Sequence, residues 1–195
     1  MSNKILNLAK QNNGLITTKQ VDKLGLSRSE LTRLKKDGRL EESARGVYIL
    51  PDYLDDFFFN LQNRYTKGIF NLNTALYLHN MSDRTPEEYD MAFPTGSTRP
   101  KNVELKISAK TESQKFYGVG KVAVETPAGH KVTCYSIERT LCDIVRPVNR
   151  VDSQIVSQAF KVYAQMPNKN LKDLGDFAKL LKVQDKINSY MEVLL

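Results

Sequence analysis

Thiol and imidazole chemistry have little to work with in this sequence: its 195 residues include two cysteines, Cys134 and Cys142, and two histidines, His79 and His130. No C-x-x-C pair occurs, and Met1–Lys10 reads as an amphipathic stretch and not as a secretory segment, so free thiols in a cytoplasmic chain are expected. Cys142 falls one turn before Arg146 on an expected helix, a placement that can activate a thiol, but burial is the commoner fate. The histidines have no spacing that resembles a metal cluster or a catalytic triad. His79 is expected at a helix edge and His130 in a turn after Gly129. The G-x-G-K within FYGVGKVAV lacks the spacing and following helix of a phosphate-binding loop, and a hairpin accounts for it better. No apolar run is long enough to cross a bilayer; the longest, DFFFNL around Phe57, is short and flanked by charge. Low-complexity tracts and repeats are also missing. No cofactor and no metal are expected.

What the sequence has is basic charge, and it is unevenly placed. Hydrophobic residues make up 41 % and charged residues 26 %, an ordinary globular mixture, with a formal net charge of +7. Residues 1–50 hold ten Lys/Arg against five Asp/Glu, residues 51–145 eleven against twelve, and residues 146–195 eight against five. An anionic partner for the first fifty residues is the natural reading.

The segment LGLSRSELTRLKKDGRLEESARGVYIL, Leu24–Leu50, makes that reading specific. Ahead of it, Ile5, Leu6, Leu8 and Ala9 outline a short helix that stops near QNNG, where Asn13 and Gly14 suit a left-handed turn. Thr17 and Thr18 offer caps to KQVDKLGL, in which Val21 and Leu24 share one face, and Gly25 ends it. Ser27 can cap a third helix that reaches about Asp37, with Gly38 as its stop. Three short helices with a tight turn between the second and third follow the helix-turn-helix plan. On a wheel of about 100° per residue, Leu31 and Leu34 fall together. Ser29, Thr32, Arg33 and Lys36 lie opposite them, flanked by Arg28 and Lys35. Hydroxyls mixed with cations are the chemistry that bonds base edges and phosphate oxygens in a major groove. The alternation in RLEESARGVYIL then predicts a hairpin, a wing with Arg45 at its tip. Thr18 and Lys19, at a helix start, are further phosphate candidates; a plain capping turn is the competing account.

Beyond Pro51 the expected fold class is α+β, with 1–52 a winged helix-turn-helix domain and 53–195 a larger domain. DYLDDFFFNLQNRY and NLNTALYLHNM read as helices, the first with Phe58, Leu61 and Tyr65 on one face, the second with Leu72, Leu76 and His79. YDMAF, VELKIS, KFYGVG, KVAVET and HKVTCY read as strands of a small, mainly antiparallel sheet. A helical C-terminal tail follows from Ser136.

Three blocks carry a resemblance: GRLEESARGVYIL, then KGIFNLNTALYLHNMSDRTPEEYDMAFP, then TCYSIERTLCDIVR. Together they resemble the AbiEi antitoxin family of bacterial abortive-infection, type IV, toxin–antitoxin systems. That resemblance implies a winged helix that represses its own operon at inverted repeats in double-stranded operator DNA. It also implies a C-terminal domain that counteracts an AbiEii-type nucleotidyltransferase toxin. The family's ER-T-x-x-D block falls on Glu138, Arg139, Thr140 and Asp143, which makes Glu138, Arg139 and Asp143 candidates for antitoxicity. Arg139 and Asp143 are equally spaced for an i,i+4 ion pair.

Two other functions compete. Asp90 followed by Glu104 and Lys106 on a neighbouring strand matches a metal-dependent nuclease, although any strand exposing alternate polar residues yields E-x-K. A transcription factor whose second domain senses a ligand or dimerises is the other.

Overall fold

A computed structural model describes residues 2–98, 100 and 106–194. Two compact units emerge from its contacts, Met1–Thr66 with Glu125–Val132, and Lys67–Val124 with Thr133–Leu195.

The first unit opens with α1 (Ser2–Gln11), whose Ile5, Leu6 and Ala9 face the core. Asn13, at φ 47°, and Gly14 turn the chain out of it. A short strand, β1 (Leu15–Thr17), follows. All three of its residues are buried, so no period-two alternation marked it in the sequence. Thr17 then caps α2 (Thr18–Lys23) in a reciprocal capping box with Gln20. Val21 is fully buried, but Leu24, expected beside it, is 48 % exposed, because the helix ends there and the chain turns. In α3 (Ser29–Lys36) Leu31 and Leu34 point inward. Ser27 acts just ahead of it, its hydroxyl accepting the Ser29 N–H at 3.2 Å. The hairpin of β2 (Glu41–Ala44) and β3 (Val47–Ile49) completes a three-stranded antiparallel sheet in the order β1-β3-β2, with Leu15 opposite Ile49 and Thr17 opposite Val47. The cores of these helices meet in one cluster that includes Ile5, Ile16, Val21, Leu31, Leu34 and Leu40.

α4 (Phe57–Arg64) also belongs to this unit. It starts later than its apolar periodicity suggests because Asp56 caps it, accepting the Phe59 N–H at 3.0 Å. Phe58 and Leu61 are buried, and Tyr65 is a half-buried C-cap. Asp56 has a second task. Its Oδ2 accepts the Thr126 hydroxyl and lies 2.7 Å from His130 Nδ1, while His130 Nε2 lies 3.1 Å from the carbonyl oxygen of Asn12. Both ring nitrogens of His130 therefore face acceptors, which only the imidazolium can satisfy by donating twice.

The second unit contains β4 (Ile69–Phe70), α5 (Leu72–Leu78), β5 (Tyr89–Pro94), β6 (Ile107–Glu112) and α6 (Gln114–Tyr117). After the hairpin of β7 (Lys121–Glu125) and β8 (Lys131–Tyr135) come α7 (Ile137–Ile144), α8 (Ser153–Gln165), α9 (Leu171–Leu181) and α10 (Gln184–Leu194). The sheet order is β6-β5-β4-β8-β7. The α+β class and the helical tail stand as expected. Within the larger sheet β4 pairs antiparallel to β5, whereas β4 with β8 and β5 with β6 are parallel. One expectation needs correction. KFYGVG is not a strand: Gln114–Tyr117 is a short helix and the chain then turns. Its aromatic content imitated a strand, but Phe116 instead packs on the helical core. β4 escaped notice because two residues carry no period. That core gathers Leu72, Leu76, Leu141, Ile144, Phe160, Tyr163, Leu174 and Ile187. Cys134 and Cys142 are free and buried, and burial pushes the Cys142 thiol up to about 12, leaving no activated thiolate.

The Asp56–His130 pair makes the stability of the first unit depend on pH. Burial lowers the pKa of His130, but the hydrogen bond and charge of Asp56 outweigh it and raise the pKa above 6.5; Asp56, penalised by burial, is held below 3.8 by His130 and Thr126. A raised histidine pKa gives stability that is complete below about pH 6.5 and is lost as pH rises through the folded value. The lowered Asp56 value gives stability lost only in acid, below pH 3.8. The melting temperature of the wild type should therefore exceed that of His130→Gln most near pH 5–6, and the gap should narrow toward pH 9. A gap that does not change with pH contradicts the doubly donating imidazolium.

Candidate nucleic-acid interface

The candidate interface is the side of α3 that the core does not use. Leu31 and Leu34 are each 1 % exposed, which turns Ser29, Thr32, Arg33, Lys35 and Lys36 to solvent. Arg28 is exposed at the start of the helix, and Arg45 is exposed in the turn between β2 and β3. These seven residues, expected together from the wheel and the hairpin, all sit on the solvent side of the winged helix. Thr18 and Lys19 open α2. The Thr18 N–H is already given to the Gly46 carbonyl at 3.0 Å, and the Gln20 N–H to Thr17 Oγ1, so two N–H groups of that helix start are engaged within the protein.

Three of the cations meet carboxylates, which the wheel did not show. Arg28 donates Nε and Nη2 to the two oxygens of Asp22, at 2.9 and 2.6 Å. Arg33 contacts Glu30 at 3.0 Å and the Ser2 hydroxyl, and Lys35 contacts Glu42 at 2.5 Å. Only the Glu30/Arg33 pair has a spacing legible in sequence. The hydrogen bonds hold Asp22 below its ordinary carboxylate value and raise Arg28 and Lys35.

In the second unit Arg139, Thr140 and Asp143 of the ER-T-x-x-D block are buried and Glu138 is half-buried. Ser136 caps α7, and Arg139, 0 % exposed, aims its guanidinium across the unit. Nε donates to Asp143 Oδ2 at 2.9 Å, Nη1 to the carbonyls of Phe116 and Val119 at 2.8 and 3.0 Å, and Nη2 to Glu112 at 3.2 Å. Arg146 closes the ring on Glu112 and Asp143, at 2.8 and 3.1 Å. Tyr135 lies under the guanidinium, 4.5 Å from its ring centre. Glu138 Oε1 accepts from the Tyr163 hydroxyl and the Asn170 N–H, both at 3.3 Å.

Of the nuclease set, Asp90 is buried on β5, with burial pushing its carboxyl up to about 6 against hydrogen bonds from Ser108 and the Asn73 backbone. Lys106 comes just before β6, and Glu104 lies outside the described residues. His79 ends α5 with Nε2 2.7 Å from the Tyr135 carbonyl oxygen, at a helix edge as expected. The Asp56, Thr126 and His130 cluster had no sequence signal, since Asp56 lies 70 residues before Thr126 and 74 before His130.

Residues 3–51, from α1 through the wing, match a family model described as a transcriptional regulator, AbiEi antitoxin. The resemblance read from the sequence holds over that segment. The crystal structure of the RV2827C protein from Mycobacterium tuberculosis is similar to this chain with a TM-score of 0.55 at 12 % identity, covering 91 % of this chain and 70 % of that one. That likeness concerns fold alone. No curated protein matches the chain. Among the described residues no helix is long and apolar enough to cross a membrane.

The burial of Arg139 yields a stability prediction. Arg139→Ala leaves Asp143 buried beside one remaining guanidinium and takes an N–H donor from the carbonyls of Phe116 and Val119, and should cost about 3–5 kcal/mol in urea unfolding. Lys36→Ala, on an exposed helix face, should change stability by less than about 0.5 kcal/mol. Equal costs for the two would mean that the Arg139 network does not organise the unit.

Proposed function

We propose that this chain is the antitoxin and autorepressor of a type IV abortive-infection system. Its winged helix binds double-stranded operator DNA at inverted repeats, and the region 53–195 counteracts a cognate nucleotidyltransferase toxin. It acts in the cytoplasm, without enzymatic activity of its own. The observation that carries the DNA half is the set of Ser29, Thr32, Arg33 and Lys36 on the solvent side of α3, with Arg45 at the tip of the following hairpin. The match of residues 3–51 to a regulator family supports it.

In this reading Ser29, Thr32, Arg33 and Lys36 meet base edges, while Arg28, Lys35 and Arg45 hold phosphate or enter the minor groove. A helix of eight residues reads only a few base pairs, so two copies on paired half-sites are needed for useful specificity. Glu138, Arg139 and Asp143 serve antitoxicity by organising the domain, because the arginine and the aspartate are buried. The functional boundary falls at residues 52–53. Since α4 packs within the first compact unit, the two activities are best separated by substitution in the full-length chain.

A second reading, a ligand-sensing regulator, draws on a groove of about 450 Å³ lined by Asn73, Leu76, Arg84, Asp90 and Ile155. Growth rescue distinguishes the two, because only an antitoxin protects cells that express the toxin.

Full-length Arg33→Ala/Lys36→Ala should lose repression of its own promoter and still rescue growth. Each lost base contact should weaken operator binding by about 1–3 kcal/mol, and each lost phosphate contact should flatten the log–log salt slope by about 0.9. Unchanged operator affinity in the double variant would remove α3 as the reader, and failed rescue by a folded double variant would show that the activities are not separable.

A further inference from the structure

The outward cations of α3 and of the residues flanking it divide into two groups. Arg28, Arg33 and Lys35 are each held by a carboxylate, and the three acids come from different places: Asp22 from α2, Glu30 from the first turn of α3, and Glu42 from β2. Lys36, Arg39 and Arg45 make no ion pair among the described residues. The same holds for Asp37 and Glu41, the other two acids of residues 1–50. The three cations are exposed, with side-chain exposure of 68 % for Arg28, 58 % for Arg33 and 49 % for Lys35, and their acids less so, at 40 % for Asp22, 37 % for Glu42 and 20 % for the half-buried Glu30.

Pairs this exposed add little to stability, so holding the fold together is a poor account of why three occur on one face. Their geometry suggests another. Asp22 takes the Arg28 fork at two points, the same two-point bond that a guanidinium gives to phosphate. A carboxylate seated there competes with a DNA phosphate whatever the base sequence. On the right sequence, base-edge bonds to Ser29 and Thr32 compensate the exchange; on other sequences nothing does.

Building on the DNA-binding reading of α3, we propose that Asp22, Glu30 and Glu42 set its sequence discrimination by occupying Arg28, Arg33 and Lys35 as phosphate surrogates, Arg33 being a cation that reads a base edge on the operator and meets only phosphate on any other duplex. Non-specific duplex must displace them before it can gain those cations. Neutralising the acids then raises affinity for any duplex and narrows the preference for the operator.

The test compares two charge-matched variants of the full chain, Asp22→Asn/Glu42→Gln and Asp37→Asn/Glu41→Gln. Fluorescence anisotropy would follow binding to a random-sequence duplex and to the duplex immediately upstream of the chain's own gene, with melting curves to verify folding. At 0.15 M salt the first variant should bind random duplex about fivefold tighter per freed cation, with a salt slope steeper by about 0.9 for each. Glu30→Gln alone should give about one such fivefold step. The upstream duplex should gain less than the random one, and the second variant should leave the slope where it was. Equal effects of the two matched variants, or no steepening in the first, overturn the inference while leaving DNA binding intact. If no form binds either duplex, the DNA reading fails and takes the inference with it.

Discussion

The second unit is organised around one guanidinium, that of Arg139, which no water reaches and which α7 presents to four acceptors at once. A buried cation is tolerable only if every N–H is met and its charge is balanced. Asp143 and Glu112 supply the charge, while Phe116 and Val119 supply carbonyls that lie in and just after α6. The turn after α6 is bound to this arrangement through Gly120. Gly120 stands at φ +74°, and a Cβ there would come within 2.7 Å of the Arg139 Cβ; its carbonyl accepts the Ser136 N–H at 2.7 Å. A side chain at 120 would thus collide with the helix that brings the arginine, besides straining the backbone. The segment expected as a strand is held as a helix and turn by the acceptors that Arg139 requires.

In the first unit the governing constraint is apolar. Leu31 and Leu34 are fixed against Ile5, Val21 and Leu40, and that single choice of buried face decides which side chains of α3 meet solvent. The polar face proposed for recognition and the packed face are therefore opposite sides of the same eight residues. The wing adds a further constraint, because the Thr18 N–H bonds to Gly46 and ties the start of α2 to the hairpin turn.

Electrostatics then works differently in the two units. Around Arg139 the charges are out of water and each loss leaves an unpaired partner, so the network is structural. Around α3 the cations are exposed to water, and their ion pairs add little to stability. The +7 formal charge of the chain does not distinguish these cases.

Much of the winged helix was legible because its signals are local. Leu31 and Leu34 recur at helical spacing, Ser27 and Gly38 bracket the helix, and SARG marks the hairpin, so the outer residues of α3 followed by geometry alone. The ion pairs Arg28–Asp22 and Lys35–Glu42 were not legible, because they join different elements. Nor was β1, whose three buried residues lack alternation, or the exposure of Leu24, which depends on where α2 stops. In the rest of the chain, the helical tail from Ser136 was legible in sequence, whereas the order β6-β5-β4-β8-β7 needed the fold. The ER-T-x-x-D block shows the division most clearly. Its i,i+4 spacing declared an ion pair between Arg139 and Asp143, but spacing cannot tell a surface pair from a buried one. Only the tertiary structure brought Glu112, Phe116, Val119 and Arg146 around it. Local propensity and periodicity determine which residues share a face; the burial of that face, and hence whether a charge is free to act or locked in place, is decided by chain segments far away in sequence.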